Sequence, residues 1–182
     1  MTSADLITLL PLIVLSLGLV AIILAVAFYR NHSLTFALTL VVLTLAFLSL
    51  AVASSSASPQ ITTLLTLDRY ALFYMGLLFA TTFATVGLSY GYLKVRPGNR
   101  EEFYILLLLA TLGAAVLVAS THFACFFLGL EILSVALYAL IAYPRLRGDS
   151  LEAGVKYLIL AGASAAFLVF GMALVYAGLG TM

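Results

Sequence analysis

From Phe123 to Tyr143 the chain reads FACFFLGLEILSVALYALIAY, 21 residues with one charge, Glu131, near the middle. A run of that length crosses a bilayer as a helix. An acid at its centre costs about 2.5–3.5 kcal/mol on insertion scales, and a chain that carries such a cost calls for an explanation of what the acid does.

Five more apolar runs flank this one, so that spans are expected at about 4–29, 34–53, 70–93, 103–119, 123–142 and 151–178. The connections, RNHS, a Ser-rich stretch around SSSASPQ, KVRPGNREE, STH and PRLRGDS, are too short to hold a domain. Only 8% of the residues are charged and mean hydropathy is +1.24, against about 25% charged in soluble domains. The expectation is an all-α, polytopic membrane bundle of six transmembrane helices, with residues 1–182 forming a single transmembrane domain. A net charge of +1 gives no reason to invoke nucleic acid, and the single Cys125, inside an apolar run, forms no intrachain disulfide. The first run lacks a basic leader, Asp5 being its only charge, and continues to Tyr29. It reads as a retained first span rather than a signal peptide.

Basic residues set the expected orientation. Arg30 follows span one, Lys94, Arg96 and Arg100 follow span three, and Arg145 and Arg147 follow span five, whereas the opposite side carries Arg69 beside Asp68. The basic connections are therefore expected on the cytoplasmic side, with the N-terminus outside. Gly76, Ala80 and Ala84 in span three, and Ala161, Gly162, Ala165 and Ala166 in span six, form small-residue rows of the kind that let helices pack closely in lipid. Asp149 or Ser150 is expected to cap span six, with Glu152 in its first turn.

Two ionisable residues lie within spans, Glu131 and Lys156. Helical spacing puts Ser134 and Tyr138 on the face of Glu131, and Glu152 and Ser164 near the face of Lys156. At about 1.5 Å rise per residue, Glu131 lies about 16 Å from the end of its span and Lys156 about 8 Å, an offset that favours a bridge over a direct ion pair. Two readings stand for each. Glu131 is either a structural acid hydrogen-bonded to Ser134 or a carbonyl, or a proton carrier in a hydrated path. Desolvation opposes the charged form of a carboxyl and a nearby ammonium favours it, so an acid held between the two changes protonation when a neighbour moves. Lys156 is either part of that path or an anchor snorkelling to Glu152 and the headgroups. The spacing offers no metal cluster, no bis-histidine haem site, since His32 and His122 fall at opposite membrane faces, and no glycine-rich phosphate loop.

Four segments carry a family likeness. They are Glu101-Glu102-Phe103-Tyr104 with the Leu-rich stretch to Gly113, Phe127-Leu128-Gly129-Leu130-Glu131-Ile132-Leu133-Ser134, Ser150-Leu151-Glu152-Ala153 with Lys156-Tyr157, and Phe170-Gly171-Met172-Ala173-Leu174-Val175-Tyr176. In this order and spacing the chain resembles subunit N of bacterial respiratory complex I, the proton-pumping NADH:quinone oxidoreductase, an antiporter-like membrane subunit of the respiratory chain. The first two spans are the least diagnostic. The resemblance implies inverted five-helix repeats with broken helices and a line of charged residues at mid-membrane. It implies that Glu131 is the fifth-span acid and Lys156 the sixth-span lysine of a proton path. It implies no cofactor in this chain, with NADH, flavin, iron–sulfur clusters and quinone elsewhere in the complex. The implied partners are the other membrane subunits and the lipid bilayer, in the bacterial inner (plasma) membrane.

That family has about fourteen spans, so the chain is expected to be its N-terminal part, a fragment or a split product. It would then lack the broken seventh helix whose lysine pairs with the glutamate, and would be inactive alone. Two alternatives remain at this point: a subunit of a related cation/proton antiporter or membrane-bound hydrogenase, and a truncated, structural-only membrane fragment.

Overall fold

The computed structural model describes residues 3–55, 64–95, 98, 100–144 and 148–180, with Ser3 and Ala4 described by their backbone alone. Among the described residues seven helices follow in order: α1 (Ser3–Thr8), α2 (Leu10–Phe28), α3 (His32–Ser54), α4 (Arg69–Val95), α5 (Glu101–Ala119), α6 (Phe123–Ala142) and α7 (Gly148–Leu179). The last six are long and apolar enough to cross a membrane. Of the basic residues used for orientation, Arg96, Arg145 and Arg147 lie outside the described residues.

The first apolar run divides into α1 and α2 at Leu9. Pro11, in the first turn of α2, has no N–H to continue the ladder back to Ile7. The start of α3 is closed by Asn31, whose Oδ1 accepts from the backbone N–H groups of Ser33 (3.0 Å) and Leu34 (3.2 Å). Asp68 does the same for α4, its Oδ1 accepting from the Ala71 N–H at 2.7 Å. The expected cap of α7 takes another form. Asp149 and Ser150 lie inside the helix, and the Ser150 hydroxyl donates back to the Pro144 carbonyl at 2.6 Å.

Helices α2 to α5 share the core. Leu15, Leu19 and Ile22 of α2 pack with Leu43 and Ala46 of α3, Met75, Phe79 and Val86 of α4, and Tyr104 and Leu108 of α5. Within this apolar interior the Thr82 and Thr111 hydroxyls share a 2.9 Å hydrogen bond between α4 and α5, and Thr111 also donates to the Leu107 carbonyl. At one end of the bundle the segment before α4 pairs with the α5–α6 connection. An isolated antiparallel bridge joins Leu65 and Ser120, with the Thr66 N–H donating to the Ala119 carbonyl and the Thr121 N–H to the Leu64 carbonyl. Outward positions such as Leu17, Phe73, Leu88 and Phe167 stay apolar, as for helices whose solvent is lipid.

Among the described residues α6 packs on α5 and α7, and α7 packs on α6 alone. This ladder from the core through α5 and α6 to α7 positions Glu131.

Candidate functional site

The α5–α6 contact is built on two glycines. A Cβ placed at Gly113 would stand 2.6 Å from the Leu133 nitrogen and 3.0 Å from the Gly129 carbonyl oxygen, and one at Gly129 would stand 2.9 Å from the Leu117 nitrogen and 3.2 Å from the Gly113 carbonyl oxygen. The obstacles are mainly backbone, so the two helices touch main chain to main chain. Gly129 and Ala136 are the buried residues of α6 and define its α5 face. The start of α6 is held by His122, whose Nδ1 accepts from the Ala124 N–H at 3.1 Å.

Glu131 is two residues beyond Gly129, roughly 200° around the helix, and so turns away from α5. It is half-buried, as are Ser134 and Tyr138. It makes no hydrogen bond or ion pair with any described residue. Its face is the one α7 covers. Ala142 lies eleven residues on, about three turns, and a Cβ at Gly154 of α7 would meet the Ala142 Cβ at 2.7 Å and the Tyr138 carbonyl oxygen at 3.3 Å. Tyr157, Ala161, Ala165, Leu168 and Met172 continue the half-buried stripe of α7 from Gly154. Because the helices run antiparallel, Ala165, eleven residues past Gly154, comes level with Glu131. At that level the stripe is alanine, Ala161 and Ala165, with Tyr157 and Leu168 on either side.

Lys156 does not join it. Two residues past Gly154, it emerges on the side of α7 remote from α6. Its side chain is 69% exposed and ion-paired to Glu152 at 2.5 Å. Glu152 and Ser164 are also exposed. The structure thus groups Glu131 with Ser134 and Tyr138, and Lys156 with Glu152, on two separate faces, and leaves no Glu131–Lys156 bridge within this chain. The small-residue rows are likewise sorted by their surroundings. Ala161 and Ala165 face α6, while Gly162 has no heavy atom within 4 Å of an added Cβ and Gly76 meets Leu50 and Phe47 only at ordinary distances. The Gly113–Gly129 contact joins residues on two different spans, and spacing along a single span carries no signal for it. Among the described residues no group of three His, Cys, Asp or Glu side chains could hold a metal ion.

Residues 120–182, which contain α6, α7 and Glu131, match the family described as NADH:quinone oxidoreductase/Mrp antiporter, transmembrane. NADH-quinone oxidoreductase subunit N of Nitrosospira multiformis is 56% identical over 178 residues, which are 98% of this chain and 35% of that protein. The subunit of the same name from Ectopseudomonas mendocina is 48% identical over 186 residues, covering 100% of this chain and 38% of that protein.

The chain is thus similar along its whole length to subunit N, and over residues 120–182 to the antiporter-like family.

It spans little more than a third of the length of these subunit N relatives. A solved structure, respiratory complex I from Thermus thermophilus with bound aureothin, contains a chain that superposes with a TM-score of 0.80 at 32% identity, covering 94% of this chain and 37% of that one. The archaeal membrane-bound sulfane sulfur reductase contains a chain of the same fold, with a TM-score of 0.74 at 24% identity, covering 98% and 38%. The match to subunit N covers α1 to α7 as well as the part that carries Glu131, which sets it above the broader antiporter likeness.

Proposed function

We propose that this chain takes part in proton translocation as a non-redox membrane subunit of NADH:quinone oxidoreductase, a translocase in which NADH oxidation drives quinone reduction. The observation that carries this is Glu131. It is a carboxyl near the middle of a spanning helix, without a partner among the described residues and turned toward a seam of alanines. Such a carboxyl is expensive unless a proton or a charge has to stop there. Small side chains opposite it leave room for water or for an approaching cation, and Ser134 and Tyr138 extend a polar stripe from it toward the basic end of the bundle.

On this reading Glu131 carries the proton, and Ser134 and Tyr138 line its path. Lys156 is the second proton-carrying group, and Glu152 and Ser164, exposed with it on the outer side of α7, extend its polar path away from α6. The chain itself holds no redox group; NADH, flavin, iron–sulfur clusters and quinone belong to the rest of the complex. Its partners are other membrane subunits and lipid. It resides in the bacterial inner membrane with its N-terminus outside, since Arg30, Lys94 and Arg100 share one end. By itself it moves no protons.

The test is Glu131→Gln in the assembled enzyme. Proton pumping coupled to NADH oxidation falls at least several-fold while the complex still assembles. Unchanged pumping would remove Glu131 from the path. The family description also spans Mrp antiporters, and that reading predicts purification without NADH-oxidising subunits.

A further inference from the structure

A second polar cluster lies away from Glu131, between α3, α4 and α5, at the end of the bundle where Arg30 pairs with Glu102 at 3.4 Å. His32, the first residue of α3, stacks on Tyr90 of α4 with ring centroids 4.8 Å apart and planes 15° from parallel. On its other side is Tyr104 of α5, 5.7 Å between centroids at 44°. Phe36 closes the group, 4.4 Å from Tyr90 and 6.1 Å from Tyr104. Tyr104 is fully buried. Its hydroxyl and both imidazole nitrogens of His32 are shielded from solvent, and none of the three makes a hydrogen bond with a described residue. Tyr90 is already engaged on the exposed side, sharing a 3.2 Å hydrogen bond with the Ser33 hydroxyl.

Buried polar atoms are almost always satisfied by protein or by ordered water, because a shielded group that loses its hydration without a partner gains nothing in return. A neutral imidazole offers one donor and one acceptor, and a phenol offers both from one oxygen. A buried water holds its place with two to four such partners. We propose that His32 and Tyr104 together form a buried water-binding site, with at least one ordered water molecule bridging the imidazole to the phenol hydroxyl. Aromatic rings wall the site. The stacked Tyr90 ring holds the imidazole in position on one side, and Phe36 lies in ring contact with both tyrosines.

Dry and hydrated clusters respond to the same substitution with opposite sign. With the chain in lipid nanodiscs, Tyr104→Phe removes a hydroxyl. If the hydroxyl holds water, the unfolding midpoint falls by about 2–4 °C; if it is bare, its removal leaves the midpoint unchanged or raises it, and the proposal is overturned. His32→Phe keeps the stack and is expected to lower the midpoint likewise. The double variant should lose less than the sum of the two, since both residues share one water; strict additivity would overturn the bridge. A high-resolution density map of the unmodified chain decides the matter without any variant. A peak within roughly 2.7–3.2 Å of both the phenol oxygen and an imidazole nitrogen is expected, and a direct His32–Tyr104 hydrogen bond or an empty gap overturns the proposal.

Discussion

Gly113→Ala tests the contact on which the position of Glu131 depends. The new methyl would lie 2.6 Å from the Leu133 nitrogen and 3.0 Å from both the Gly129 oxygen and the Leu133 Cα, where comfortable non-bonded separation is about 3.5–4.0 Å. All three obstacles are backbone atoms, so no rotamer change relieves them, and α5 and α6 must part by roughly 0.5–1 Å, giving up packing along the seam. Overpacking of this kind costs about 1–3 kcal/mol, and the rigidity of the obstacle puts the cost at the top of that range. Replacing glycine by alanine inside a helix returns about 1 kcal/mol of propensity. The net loss is about 2 kcal/mol, or an unfolding midpoint lower by about 4–8 °C in a chain of this size. Gly162→Ala is the control, because an added Cβ there meets nothing within 4 Å. It keeps the propensity gain without the clash, so its midpoint stays level or rises. Thermal unfolding of the three proteins in one detergent, followed by helix circular dichroism, gives the comparison. If Gly113→Ala rises together with Gly162→Ala, the two backbones do not touch and the account of how Glu131 is held fails.

Thr111→Val leaves the Thr82 hydroxyl without its 2.9 Å partner and should cost about 0.6 kcal/mol, the average for hydrogen bonds between membrane helices; no change in midpoint would mean that Thr82 finds another acceptor at no cost. Lys156→Gln breaks an exposed i,i+4 ion pair and should shift the stability of the chain by less than about 0.5 kcal/mol, yet reduce pumping in the assembled enzyme. Equal losses of stability and pumping would make Lys156 a folding residue.

The helices were legible because bilayer spans are a one-dimensional signal. Length and hydropathy mark them wherever they pack, and the runs read at 123–142 and 103–119 end within about two residues of α6 and α5. Contacts between helices are not one-dimensional. Helical spacing assigns Glu131 and Lys156 each to a face of its own helix, but which face meets a neighbour depends on the rotation of α7 against α6. That rotation is set by Gly154 against Ala142 and turns Lys156 outward. The glycines that matter for the same reason are Gly113 and Gly129, one on each helix, and not the row containing Gly162 and Ala166. His32 looks like a polar residue at a span end, and only the arrival of Tyr90 and Tyr104 from two other helices closes it off. The division at Leu9 had a local cause, Pro11, that the unbroken hydropathy of the first run conceals.

Helix α7 contains 32 residues, about 48 Å of rod at 1.5 Å per residue, against a hydrocarbon layer of roughly 30 Å. Its surplus must either stand clear of the oil or be absorbed by leaning. The turns with charge to offer to water are the early ones, carrying Asp149, Glu152 and Lys156. Upright, the helix would lift this group to the headgroups; inclined, it would draw the group inward. Bilayer thickness is thus a control on the setting of the Glu152–Lys156 pair, one that an experimenter can turn through acyl-chain length without altering a residue.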